Sequence, residues 1–423
     1  MTALKFGAKL QKNIQTQAIA VDYFSYLCSG IYPWAMKKTA LFVFCIVTVC
    51  VSAQKKALFI GNSYTSVNDL PGMVASMAAS TDDKIITYSN TPGGCRFIQH
   101  CQNQSMTMIR EGGWDVVVLQ EQSQYPAFPE WQVEAEVYPY AKRLVDSIYA
   151  NNDCPEPMFY MTWGHKNGDA GNAKEYPPIG TYEGMDSLLR TRYIQMGKDN
   201  HASVCPVGKV WHYIRRKFNT IELYSNDESH PSMAGTYAAA CAFYAMILEK
   251  DPTLIEYHSS LLDTATERII RNVAKLVVYD SLEIWKREQP EASFSYTDNG
   301  NYSATFTAQT EGADGWEWSF GDGSTDDGKI VTHTFASDGT YNVQLVVSKH
   351  CLVDTVEIEV VINDSTTTES SVEVAEMEED VNVRIVDMTG RLIYQGKREE
   401  APYSSLPAGV YFVNRKKIVL TRK

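Results

Sequence analysis

Residues 56–66 read Lys-Ala-Leu-Phe-Ile-Gly-Asn-Ser-Tyr-Thr-Ser. Four apolar residues stop at a glycine, and a serine follows two positions later. An apolar run bounded by a turn signal reads as a buried strand. The turn after it carries Ser63. Such a turn is either plain strand-to-loop geometry or the place where a nucleophile is presented. A hydroxyl is a weak nucleophile until a base takes its proton. The choice rests on whether the rest of the chain supplies that base.

Short apolar runs like this one recur at Ala57–Ile60, Ile85–Tyr88, Val116–Gln120, Met158–Thr162 and Ser203–Val207. Amphipathic stretches separate them: Pro71–Ala79, Phe97–Glu111, Glu130–Tyr149, Glu183–Lys198 and Lys209–Phe218. Strand and helix in alternation predict parallel strands with crossovers, a three-layer α/β/α sandwich over 54–289. Two further helices are expected at Pro231–Glu249, with proline in the first turn, and at Leu261–Lys286.

The base is sought among the histidines. Residues 227–231 read Asp-Glu-Ser-His-Pro. Pro231 disfavours a helical His230, which places it on an extended approach to the last helices. Asp227, three residues earlier, can fold back onto one ring nitrogen and leave the other for a serine. The order along the chain is Ser, Asp, His. Position 65 is threonine, so a Gly-x-Ser-x-Gly elbow is absent. His165, after the fourth strand, is a rival base without an acidic residue within three positions. His212 reads as a structural residue on a helix.

Gly61-Asn62-Ser63 after the first strand, with Asp227-x-x-His230-Pro231 late in the domain, resembles the SGNH (GDSL-like) hydrolases over about 55–290. The resemblance implies Ser63 as nucleophile, with Asp227 and His230 completing a triad. It implies an oxyanion site from the Ser63 amide, the Gly94 amide in Pro92-Gly93-Gly94, and a side-chain amide after the third strand. The family's Gly-x-Asn-Asp is replaced here by Gln120-Glu-Gln-Ser-Gln124, which leaves Gln124 or Gln122 as the donor. Tyr64 is expected to shape the substrate pocket, and Trp163 either lines that pocket or packs beneath it. No metal and no cofactor are expected.

The chain has 423 residues, long for one domain, and a net charge of −13. That charge argues against nucleic acid or an anionic membrane as partner. Met36-Lys37-Lys38, the apolar run Ala40–Val51 and Val51-Ser52-Ala53 form the pattern of a secretory signal peptide at 36–53. The run is too short for a transmembrane span. Residues 1–35 then read as an upstream extension from an early start codon. Export permits disulfides, and Cys95–Cys101 and Cys154–Cys205 are the pairs to test first. Cys241, in an Ala-rich stretch, reads as a buried free thiol.

After Pro290 the composition turns to alternating strands. Trp318-Ser-Phe-Gly-Asp-Gly323, followed by His333-Thr-Phe and Gly339-Thr-Tyr341, resembles a PKD domain, an Ig-like β-sandwich, over 290–363. Asp322, Asp326 and Asp327 are read as turn residues rather than a calcium loop. Residues 364–376 are a polar linker. Residues 377–423, with Val383–Arg391 and Leu406–Phe412, resemble the C-terminal sorting domain of the type IX (Por) secretion system of Bacteroidota, a small β-domain. The combined expectation is a secreted or outer-membrane surface-attached serine esterase that reaches the surface via the periplasm. Its substrate would be an extracellular glycan or polysaccharide ester, and its partner the secretion machinery. The rival is a non-catalytic glycan-binding protein built on a hydrolase scaffold.

Overall fold

The computed structural model describes residues 54–363 and four later strands, 382–387, 392–397, 409–413 and 416–420. The extension expected at 1–35, the signal peptide at 36–53 and the linker at 364–376 lie outside the described residues.

The five apolar runs form β1 (Lys55–Ile60), β2 (Ile85–Asn90), β3 (Val116–Leu119), β4 (Glu156–Tyr160) and β5 (Ser203–Cys205). They make one sheet in the order β2-β1-β3-β4-β5, parallel throughout. β3 is buried at every residue and β1 along its last four. Continuous burial is what a parallel sheet covered on both faces requires. The covering helices are α1 (Ser63–Ser66), α2 (Leu70–Ala79), α3 (Phe97–His100), α4 (Gln104–Glu111), α5 (Glu130–Glu136), α6 (Tyr138–Asn151), α7 (Tyr182–Asp199), α8 (Val207–Lys217), α9 (Met233–Leu248), α10 (Thr264–Val277) and α11 (Leu282–Trp285). α2, α8, α9 and α10 pack together in one layer, and α3, α4, α6 and α7 in the other. This is the three-layer α/β/α sandwich.

Four expected helices differ in extent. Phe97–Glu111 is two helices, because the Asn103 side chain accepts from the Ser105 amide and starts a new one. Glu130–Tyr149 breaks at Val137 just ahead of Pro139, which has no amide hydrogen to carry the ladder onward. Leu261–Lys286 stops at Val277, whose carbonyl accepts instead from the Trp285 indole. The helix expected from Pro231 starts at Met233, with Ser232 as its cap and the proline ahead of it. α9 is buried from Ala234 to Ile247, so it runs through the core rather than over it.

The sheet order places a switch point between β1 and β3. Ile60 pairs with Asn90 on one side and Leu119 on the other. Residues 61–63, 91–94 and 120–124 therefore leave the sheet at one carboxyl edge, where α/β folds bind their ligands.

Downstream, β6 (Phe294–Gly300), β7 (Ser303–Ala308), β8 (Gly315–Ser319), β9 (Thr325–Asp327), β10 (Ile330–Thr334), β11 (Gly339–Lys349) and β12 (Leu352–Ile362) form two antiparallel sheets, β10-β7-β6 and β12-β11-β8-β9. Trp318, Phe320, Phe306, Leu345 and Val347 fill the core between them. Gly321 turns at φ +78, and a side chain there would strike the Asn342 backbone. Asp322 accepts from His333 Nε2 at 2.8 Å and from the Ser324 amide, which is turn chemistry. Further on, β13 (Asn382–Asp387), β14 (Leu392–Lys397), β15 (Gly409–Val413) and β16 (Lys416–Leu420) form an antiparallel sheet in the order β14-β13-β15-β16.

Among the described residues the disulfide is Cys154–Cys351, which ties the turn before β4 to the β11–β12 hairpin. Neither expected pairing forms. Cys205 is buried within β5, and exposed Cys154 reaches the hairpin instead. Cys95 and Cys101 sit at opposite ends of α3, with sulfurs aimed at different carbonyls, those of Arg96 and Tyr140. Cys241 is a buried free thiol.

Candidate active site

β1 ends at Ile60 and the chain must turn at once. A Cβ on Gly61 would lie 2.5 Å from Thr65 Oγ1 and 2.6 Å from Gln120 Oε1, so the turn needs glycine. Asn62 caps α1: its Oδ1 accepts from the Tyr64 amide at 3.1 Å. Its Nδ2 donates to the Cys95 carbonyl at 3.0 Å and pins the Gly93-Gly94 turn beside Ser63. Ser63 is the first residue of α1 and keeps part of its surface exposed.

The residues at 227–230 meet Ser63 from across the chain. His230 Nε2 lies 2.8 Å from Ser63 Oγ. His230 Nδ1 bonds Asp227 Oδ2, and Asp227 Oδ1 accepts from the Ser229 and His230 amides at 3.1 and 2.9 Å. With Nδ1–H donating to the carboxylate, Nε2 presents a lone pair to the serine hydroxyl. Partial burial pushes the Asp227 carboxyl up, but the bonds from the His230 ring and the two amides outweigh it and hold it below the ordinary carboxylate range. The loop is fastened at Glu228, which turns at φ +61 and accepts from the Lys166 amide at 2.8 Å.

Tyr64 and Trp163 support this loop and do not line a pocket. Trp163 has no exposed surface and Tyr64 has 2%. Their rings stack 4.8 Å apart, and Trp163 stacks in turn on Trp211. The Tyr64 hydroxyl pairs with Ser229 Oγ at 2.6 Å, and Trp163 Nε1 donates to the Ser229 carbonyl at 3.0 Å. Two large aromatics therefore grip the residue next to His230, and the pocket expectation for them is corrected to a packing one.

On the other side of Ser63 lies a buried polar layer that sequence reasoning missed. Gln120 is fully buried, and its Oε1 accepts from the Asn62 amide and Thr65 Oγ1, both at 2.9 Å. Glu121 is fully buried as well. Burial drives its carboxyl up to about 8, against the hydrogen bonds from the Gln122 and Phe97 amides and the Arg96 charge. His100, also buried, donates from Nε2 to the Gly61 carbonyl at 2.9 Å and accepts at Nδ1 from Ser105 Oγ at 2.8 Å. Burial lowers its pKa to about 4, so the ring is neutral. One signal was present: Gln120-Glu121 stands directly after an all-apolar strand at the switch point.

Three donors at this edge are uncommitted. Neither the Ser63 amide nor the Gly94 amide donates to any acceptor among the described residues. Gly94 turns at φ +64, and the space its Cβ would occupy is open. Gln124 Nε2 donates to nothing in the described protein, whereas Gln122 Nε2 donates to Gln124 Oε1 at 2.7 Å. His165 has a depressed pKa from burial, but no hydrogen bond joins it to Ser63. His212 pairs with Asp186 at 3.1 Å. No cluster of His, Cys, Asp or Glu among the described residues is arranged to hold a metal. No helix among them is long and apolar enough to cross a membrane.

Comparison with known proteins adds the following. No curated protein matches the chain. Among solved structures it is similar to a DUF4886 family protein from Bacteroides uniformis, with 17% identity over 54% of this chain and 95% of that one, at a TM-score of 0.47. It is similar to an acetyl-xylooligosaccharide esterase from Geobacillus, with 15% identity over 46% of this chain and 94% of that one, at 0.33. It is also similar to a GDSL-like lipase from Parabacteroides merdae, with 13% identity over 45% and 96%, at 0.33. The PKD domain family matches residues 311–363, within the two antiparallel sheets, and this part of the chain is a PKD domain.

Proposed function

We propose that the chain is a secreted serine esterase of the SGNH type, acting on short acyl esters carried by extracellular glycans. The observation that carries this reading is the relay from Ser63 Oγ through His230 to Asp227, with 2.8 Å between hydroxyl and ring nitrogen. Ser63 Oγ attacks the ester carbonyl carbon as His230 Nε2 takes its proton. Asp227 keeps the ring oriented and stabilises the imidazolium. The oxyanion is held by the amides of Ser63 and Gly94 and by Gln124 Nε2, all of which are free to donate. Collapse expels the alcohol, which takes the proton from Nε2. Water then attacks the acyl-enzyme with His230 again as base, and the carboxylic acid leaves as Ser63 is reprotonated. Of the two glutamines, Gln124 is favoured, because Gln122 spends an amide hydrogen on it.

The signal-like segment, the PKD domain and the tail resembling a sorting domain support export and a glycan ester over a lipid. Export would run through the periplasm to the outer surface. A fluorophosphonate probe tests the core of the reading. Labelling of the wild type that disappears in Ser63→Ala is expected. A folded wild type that takes no label would instead be a hydrolase-shaped binding protein. Acetate release from a panel of acetylated polysaccharides then tests the substrate class.

A further inference from the structure

We propose that Glu121 is a positioning residue that fixes the distance between the two oxyanion loops of the esterase, an inference that rests on the function proposed above. Its side chain bridges those loops. Oε1 accepts from the Gln122 amide at 2.6 Å, on the segment that carries Gln124. The same carboxyl accepts from the Phe97 amide at 3.2 and 3.1 Å through its two oxygens. Phe97 opens α3 three residues after Gly94. A single rigid group thus sets the span between a backbone donor and a side-chain donor.

Three surrounding contacts make the bridge specific. Gln124 N donates to the Gln122 side-chain Oε1 at 3.1 Å and Gln122 Nε2 donates back to Gln124 Oε1 at 2.7 Å, so the two glutamines are tied to each other on the held segment. The Tyr193 hydroxyl accepts from the Glu121 amide at 3.3 Å and anchors the carboxyl's own backbone to α7. Arg96, next to Phe97, lies over the Tyr125 ring at 3.5 Å and pairs with Glu136 at 2.6 Å, which ties the start of α3 to α5. A carboxyl without exposed surface is a costly residue for a core. It is explained here by the Phe97 and Gln122 amides, which no other group among the described residues satisfies. Oxyanion donors act through preorganisation, so a shift of about 1 Å in their spacing is felt in turnover and not in substrate affinity.

The test uses the full chain and three variants, each first checked by thermal melting. Glu121→Gln keeps an oxygen at the Oε1 position, and its kcat is expected to stay within about 3-fold of wild type. Glu121→Ala removes the bridge, and its kcat on p-nitrophenyl acetate is expected to fall about 10- to 100-fold with KM within 3-fold. Glu121→Asp keeps the carboxyl group but is one methylene short; it should fall likewise and decides the matter if the alanine variant does not fold. Folded Ala or Asp variants with wild-type kcat, or with a loss carried by KM, overturn the positioning role. Wild type without turnover or probe labelling overturns the esterase reading itself, so the two failures are distinguishable.

Discussion

Ser63 stands between two flanks of opposite construction. On one flank, Asp227 and His230 come from one short loop and their side chains are 49% and 34% exposed. On the other, Asn62, His100, Gln120 and Glu121 come from three separate segments, and none exposes more than 2% of its surface. The exposed flank carries the groups that would move protons, and water can reach them. The polar atoms of the buried flank are spent on backbone groups of the turns and on the Thr65 and Ser105 hydroxyls. Reactivity and geometry are thus separate problems at this edge. One flank is local chemistry, and the other is a scaffold whose polar groups are satisfied internally.

On the exposed flank, Asp227→Asn should have the strongest effect. The amide still offers an oxygen to the Ser229 and His230 amides, so the loop should keep its shape. It no longer holds the His230 ring in the tautomer that leaves Nε2 free. Turnover of p-nitrophenyl acetate is expected to fall about 10²- to 10⁴-fold with melting temperature nearly unchanged. A loss under 10-fold would remove Asp227 from the relay.

The buried flank should respond in the opposite currency. Gln120→Leu strands the Asn62 amide and the Thr65 hydroxyl in the core. Leaving a buried polar group unsatisfied costs about 1–3 kcal/mol each. Urea unfolding should therefore show a loss of roughly 2–6 kcal/mol, with turnover falling through distortion of the α1 turn. A stable variant with wild-type activity would dissolve the distinction between the flanks.

This asymmetry also explains what was legible in the sequence. The five strands were legible because apolar runs closed by turn signals have one reading in a parallel sheet. Asp227-x-x-His230 was legible because its partners lie three residues apart and their contact is local. The roles of Gln120 and Glu121 were not, since a glutamine oxygen that accepts from residue 62 leaves no local trace. Helix ends failed where a single side chain overrides periodicity, as Asn103 does in starting α4 and Trp285 in capping Val277. The pairing of Cys154 with Cys351 was illegible for the same reason: 197 residues separate the partners, and three-dimensional proximity alone decides it.

The buried flank should also show a pH dependence of stability, spread over several pH units. Burial holds His100 at about 4 in the folded chain against 6.5 for the free side chain. The unfolded chain therefore binds the proton more readily, and the stabilisation present above pH 6.5 is lost as pH falls toward 4. The full span corresponds to about 3 kcal/mol. Glu121 runs the other way: raised to about 8 against 4.5, it costs stability as pH climbs between those values. His201, also lowered to about 4, adds to the acid loss, so wild type alone cannot assign it. His100→Gln keeps a donor for the Gly61 carbonyl and removes the titration. Its urea-unfolding free energy should fall less steeply than wild type between pH 6.5 and 4, while probe labelling at Ser63, governed by the exposed flank, keeps its own pH profile. Parallel stability curves for the two proteins would mean that the His100 proton is not linked to folding, and that its place beside Gly61 is one of packing alone.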